Sequence, residues 1–134
     1  MVSTAKGLVD TSVFIAAESG RPMNTEMLPD QSVICPVTIA ELQAGVLITP
    51  DVEIRARRLA TLESTADIEV LAIDGRVAAE WARLRVHLAE TGRRINVNDL
   101  WIAATAAANG LPVVTQDEDF SPLQGVRGLS VIHV

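Results

Sequence analysis

The sequence has no tyrosine, two phenylalanines and two tryptophans. A chain so poor in rings lacks the aromatic platforms on which single-strand binders stack successive bases. Its one cysteine, Cys35, cannot make an intramolecular disulfide or a cysteine-rich zinc site. Two histidines, His87 and His133, leave little for imidazole-based metal binding or catalysis. Lys6 is the only lysine, so the basic residues are almost all arginine, the better bidentate ligand for phosphate. Lys and Arg number 11 against 17 Asp and Glu, a net charge of −6. That argues against nucleic-acid binding by bulk charge. It leaves room for a nucleic-acid enzyme, because a metal-binding carboxylate cluster subtracts from the total. No stretch reads as a membrane span: the longest uncharged run, Leu100 to Gln116, is broken by Asn109, Gly110 and Pro112. Asp10 interrupts the apolar stretch after Lys6, so the N-terminus does not read as a signal peptide. A reduced cytoplasmic protein is the expectation.

What the chain does have is material for a core. Of its 134 residues 49% are hydrophobic, enough for one domain over 1–134 that buries about two-thirds of its unfolded surface. Gly7-Leu8-Val9 reads as a buried strand running into Asp10, and Ser12 to Ser19 as a helix closed by Gly20 and Pro22. Ser32 to Cys35 is a second strand, stopped by Pro36. A helix over Val37 to Ile48 has Thr38 at its cap. Pro50 opens another to about Thr65, with Val52, Ala56, Leu59 and Leu62 on one face. Ile68 to Ile73 reads as a strand, and Asp74 caps a helix to Glu90 carrying Val77, Trp81, Leu84 and Leu88. Asn98 caps a helix to Asn109; Pro112 to Thr115 and Leu129 to Val134 are the last strands. Short apolar strands alternating with helices predict a three-layer α/β/α domain around a mostly parallel sheet.

Such sheets carry their sites at the carboxyl ends of strands. Asp10 directly follows the first strand, and Asp117 follows the fourth by two residues. Asp99 stands at a helix start, and Glu41 reads as lying in the first turn after the second strand. In a parallel sheet all four acids share one edge. Clustered carboxylates repel one another, and a divalent cation relieves the repulsion. All-oxygen ligands suit Mg²⁺ or Mn²⁺, which stabilise charge on a phosphoryl oxygen and lower the pKa of a bound water. The reaction class is metal-assisted phosphodiester hydrolysis. Each acid also has a plainer reading. Asp10 would cap the helix after it. Thr38-Ile39-Ala40-Glu41 matches a capping box. Asp99 suits a helix dipole, and Asp117 and Asp119 a solvated acidic turn. Their joint placement favours the site.

Leu8-Val9-Asp10-Thr11-Ser12, Glu41 in Thr38-Ile39-Ala40-Glu41-Leu42, Asn98-Asp99-Leu100-Trp101-Ile102-Ala103-Ala104-Thr105-Ala106, and Val114-Thr115-Gln116-Asp117-Glu118-Asp119-Phe120 occur in that order. With this ordered set the chain resembles the PIN-domain ribonucleases, and more narrowly the VapC toxins of bacterial toxin–antitoxin pairs, over essentially its whole length. The resemblance implies a compact α/β/α fold and a Mg²⁺- or Mn²⁺-dependent endoribonuclease. It implies metal-site roles for Asp10, Glu41, Asp99 and Asp117, with Asp119 a less regular ligand. Thr11, Ser12 and Thr115 match hydroxyl positions that hold the acids or water. A homodimer and a cognate antitoxin that blocks the site are also implied.

Arg93 and Arg94 precede Asp99 in a polar loop, placed to hold an RNA backbone or to be merely solvated. Arg55, Arg57, Arg58, Arg83 and Arg85 read as wet helix faces. Trp81 reads as core or dimer interface, Trp101 as packing, and His87, His133 and Cys35 as structural. With no well-placed histidine, the nucleophile is a metal-activated water. The competing readings are another metal-dependent phosphohydrolase or DNA nuclease, and a non-catalytic binding module on the same fold.

Overall fold

A computed structural model describes residues 5–134. Five strands, β1 (Lys6–Val9), β2 (Gln31–Ile34), β3 (Glu69–Val70), β4 (Val113–Thr115) and β5 (Val131–His133), form one sheet in the order β3-β2-β1-β4-β5. All four pairings are parallel. Five α-helices connect them: α1 (Thr11–Ser19), α2 (Pro36–Ile48), α3 (Val52–Glu63), α4 (Gly75–Glu90) and α5 (Val97–Ala108). The result is the expected three-layer α/β/α arrangement.

Side chains alternate across a strand, and here the alternation divides the core. Leu8, Val33 and Val113 face Val77, Leu84, Leu88, Ile102 and Ala106 of α4 and α5. Their neighbours Val9, Ile34 and Val114 face the opposite layer with Val13 of α1. The alanines of α5, Ala103, Ala104 and Ala106, are fully buried, so this helix lies close on the sheet. Sheet order reverses between β1 and β4: the chain steps from β1 outward to β2 and β3, then returns to the other side. In parallel α/β sheets the crevice outside the carboxyl ends at such a switch point is where ligands bind.

Several element boundaries differ from the sequence reading. Pro36 occupies the first turn of α2, because its missing N–H is no loss there. The cap is therefore Cys35 rather than Thr38, and Glu41 sits in the second turn. Asn96, not Asn98, caps α5; its side chain accepts from the Asn98 amide at 2.8 Å. Pro50 lies outside α3, which Asp51 caps by accepting from Ile54 N at 2.9 Å. The third strand shrinks to Glu69–Val70, an edge strand paired on one side only. Asp74 caps α4 as read, accepting from Val77 N at 3.1 Å. The apolar stripe of α3 is not core: none of its residues is buried, and Val52 is 79% exposed. That helix packs on α2 and α1 at the periphery, away from the sheet. Trp81 and Trp101 pack as expected, stacked with centroids 5.1 Å apart. Among the described residues no helix is long and apolar enough to cross a membrane.

Gly7 lies in β1 where the chain is tightest. A Cβ built there would meet Val114 Cγ2 at 2.8 Å and Pro29 at 3.4 Å. Gly7→Ala is expected to lower stability by about 1–3 kcal/mol, the scale of overpacking a core. Urea denaturation measures it; an unchanged midpoint would contradict this packing.

Candidate active site

The site starts at the end of β1. Val9 registers with Val114, so Asp10 leaves the sheet beside Thr115 of the neighbouring strand. Asp10 is only 2% exposed, a deep position for a carboxylate. It occupies the helix N-cap yet makes no side-chain capping bond. Instead its Oδ2 accepts from the Ser12 hydroxyl at 2.7 Å and the Thr115 hydroxyl at 2.9 Å. Both hydroxyls are themselves held by backbone. Gln116 N–H donates to Ser12 Oγ and Asp117 N–H donates to Thr115 Oγ1, each at 3.0 Å. Two short relays thus run from the turn after β4 into one carboxylate oxygen. They join the segments that carry Asp10 and Asp117, over a hundred residues apart in sequence.

Glu41 arrives from α2. The capping box is not formed, because the helix begins one turn earlier. The Thr11 hydroxyl donates to Glu41 Oε1 at 2.7 Å and also lies 3.1 Å from the buried Thr38 hydroxyl. Asn98 Nδ2 approaches Glu41 Oε2 at 3.5 Å, a long contact. Asn98 and Thr38 were not anticipated in these roles; their local cap signals pointed elsewhere. Asp99 follows in the first turn of α5, half-buried. Asp117 is half-buried in the turn after β4, and the neighbouring Asp119 is exposed. His133 Nε2 lies 3.0 Å from the Asp117 carbonyl and braces this turn, in keeping with a structural role.

The acids act on one another through space. The Asp99 carboxyl is pushed up to about 7, first by burial and then by the charges of Asp10, Asp119, Glu41 and Asp117. Burial is also the main force raising Asp10, against the pull of the Ser12 and Thr115 hydroxyls. It raises Asp117 as well, reinforced by the charges of Asp10 and Asp119 and opposed by Arg21. No salt bridge among the described residues engages Asp10, Glu41, Asp99 or Asp117. The cluster is therefore an excess of negative charge with oxygen donors only.

That donor set fits a hard divalent cation. The carboxylates are not drawn into a closed cage: among the described residues no three His, Cys, Asp or Glu side chains form a ready-made metal group. This departs from the tight convergence expected from the sequence. The fit survives it, because Mg²⁺ keeps several waters and takes one or two carboxylates rather than a full protein cage.

Arg93 and Arg94 are exposed in the loop between α4 and α5. They line a cleft of about 370 Å³ together with Glu118 and Asp119, whereas Asp10, Glu41, Asp99 and Asp117 do not line it. Arg55 and Arg58 donate to the carbonyls of Leu47 and Gly45, and Arg58 also lines a cavity together with Glu41. Cys35 is buried and its thiol is pushed up by that burial, as suits a structural residue.

The PIN domain family matches residues 7–125, a span that includes every acid above. The chain is 55% identical over 130 residues to ribonuclease VapC5 of Mycobacterium tuberculosis (strain ATCC 25618 / H37Rv), covering 97% of this chain and 96% of that protein. It is 36% identical over 130 residues to ribonuclease VapC4 of the same strain, covering 97% and 100% respectively. A crystal structure of VapBC-5, a member of the VapBC family of toxin–antitoxin systems from M. tuberculosis, matches with a TM-score of 0.91 at 52% identity. That match covers 97% of this chain and 99% of the other.

The raised carboxyls make a signed prediction for metal-free protein. Unfolded, Asp99 titrates near 3.9; folded, it keeps its proton to about 7. The folded state binds the extra proton between these limits, so stability falls as pH rises from about 4 to about 7. Thermal melts in chelator are expected to show this fall, and Asp99→Asn is expected to flatten it. A melting temperature that climbs across the window would refute the coupling.

Proposed function

The chain belongs to the PIN-domain family, among the VapC ribonucleases, and on that premise we propose that it is a metal-dependent endoribonuclease toxin restrained by a cognate antitoxin. The observation that carries the reading is the set of Asp10, buried, with Glu41, Asp99 and Asp117, half-buried, at the β1/β4 switch point, where their charges together raise the Asp99 carboxyl. These four residues would hold Mg²⁺, with Mn²⁺ able to substitute, and Asp119 lies at the margin of the set. The cation supplies charge stabilisation at the scissile phosphate and lowers the pKa of a water. The protein supplies position. Ser12 and Thr115 lock Asp10 in one orientation, and Thr11, with Asn98 nearby, orients Glu41. Groups that orient ligands in this way matter almost as much as the ligands. Arg93 and Arg94 flank the cleft and hold the RNA backbone through phosphate contacts, which position rather than specify. The exposed N-terminal end of the α5 dipole also favours anionic phosphate.

The whole chain acts as one nuclease domain in the cytoplasm. A protein partner is supported by apolar surface at the α2–α3 corner, where Leu47, Ile48 and Val52 stand exposed. The antitoxin would cover such surface and block the acidic cleft. A homodimer is part of the proposal. Of the apolar residues of α1 that could supply its interface, Val13 is core and Ile15 is exposed. Sedimentation at tens of micromolar reads the oligomeric state, and a clean monomer would remove the dimer.

Purified protein with Mg²⁺ or Mn²⁺ is expected to cut cellular RNA into discrete fragments, and chelator to stop it. Asp10→Asn and Asp99→Asn are expected to abolish cleavage while folding normally by circular dichroism. Thr115→Val and Thr11→Val are expected to lower activity about 10- to 100-fold, the usual effect of losing an orienting partner. Full cleavage by a well-folded Asp99→Asn protein would sink the assignment.

A further inference from the structure

Beside the acidic cleft lies a second cavity, of about 400 Å³, between α4, the loop after it and the start of α5. Trp81, Val97 and Leu100 contribute apolar wall, while Arg85, Arg93 and Arg94 stand at it as cations. Among the described residues no Asp or Glu lines it. Three of the 11 basic residues of an acidic chain thus gather at one apolar hollow. The two cavities share one stretch of lining, Arg93, Arg94 and Ile95. In the first turn of α5, Val97 and Leu100 line the larger cavity and Asp99, between them in sequence, belongs to the acidic cluster.

We propose that this cavity is a nucleobase subsite, which receives one unpaired base of the RNA next to the phosphate held at the acidic cluster that Asp99 belongs to. The inference rests on the ribonuclease reading above and adds to it where a neighbouring base goes. Its volume falls within the range of small-molecule pockets, ample for one base. Proteins read single-stranded RNA by splaying bases out onto aromatic rings and arginine planes. Here Trp81 is held rigid by its stack on Trp101, at 5.1 Å and 23°, so little side-chain freedom remains to be lost on binding. The arginines supply phosphate contacts on either side of the inserted base. An acidic protein segment would satisfy the arginines but would leave the indole and aliphatic wall without a matching partner. With one such wall in a chain poor in rings, the subsite takes a single base rather than a stacked run.

The test is binding of a ten-nucleotide single-stranded RNA in chelator, read by tryptophan fluorescence, so that cleavage plays no part. Saturable quenching is expected for the unaltered protein. Arg85→Glu and Val97→Asp, both at exposed positions, are expected to weaken binding about tenfold, the scale of one lost base contact. Arg57→Glu, the same charge change on α3, is the control and is expected to move affinity less than twofold. Equal losses in Arg85→Glu and Arg57→Glu would overturn the subsite in favour of bulk charge. So would unquenched tryptophans, or stronger quenching by a poly-glutamate peptide than by RNA. If the Mg²⁺ form cleaves RNA yet the cavity variants bind like the unaltered protein, the subsite alone falls. If the unaltered protein neither binds nor cleaves RNA, the ribonuclease reading falls with it.

Discussion

Repulsion among carboxylates held at one edge of the sheet is the constraint around which this molecule is built. Asp10, Glu41, Asp99 and Asp117 come from separate parts of the chain; beyond burial, the charges of the other three raise the cost of ionising Asp99, Glu41 raises that of Asp10, and Asp10 raises that of Asp117. Left on flexible loops they would move apart. They stay because Asp10 and Asp117 leave neighbouring strands of a parallel sheet, whose carboxyl ends necessarily share an edge. The two hydroxyl relays then join those strand ends into one unit. Gln116 and Asp117 amides feed Ser12 and Thr115, and both hydroxyls donate to Asp10. A buried carboxylate with satisfied partners is tolerable where a bare one is not.

The layers on either side serve this edge. Because α5 carries buried alanines where it meets the sheet, it can lie close and deliver Asp99 from its first turn. The same turn places Leu100 at the core and Val97 at the surface, so one helix end serves packing, charge and cavity wall together. Far from the edge the demands relax. At the periphery α3 buries none of its residues, and the α2–α3 corner leaves aliphatic side chains in water. Surface of that kind is costly for a chain that works alone and useful for one that works with a partner.

Much of this could be read from residue order. Short apolar strands between helices specify a covered parallel sheet, and a strand running straight into Asp10 marks a strand-end acid. Those signals are local, and the backbone obeys them. Misreadings arose where two local signals competed. Thr38 and Glu41 satisfy the pattern of a capping box, but Pro36 starts the helix earlier and frees Glu41 for Thr11. Asn98 has the chemistry of a cap, but Asn96 takes that position, and Asn98 turns towards Glu41. The stripe on α3 correctly marks which face is apolar; periodicity carries no information about what covers it.

Composition and pattern were thus enough for the layers and the sheet's direction, because propensity, strand alternation and helix caps act over a few residues. Tertiary structure alone set how far Asp99 holds its proton, which hydroxyl serves which carboxylate, and that Arg93 and Arg94 border two cavities. Those properties depend on burial and on through-space distances between residues remote in the chain. Coulombic and desolvation energies are functions of these distances, and no spacing along the sequence encodes them.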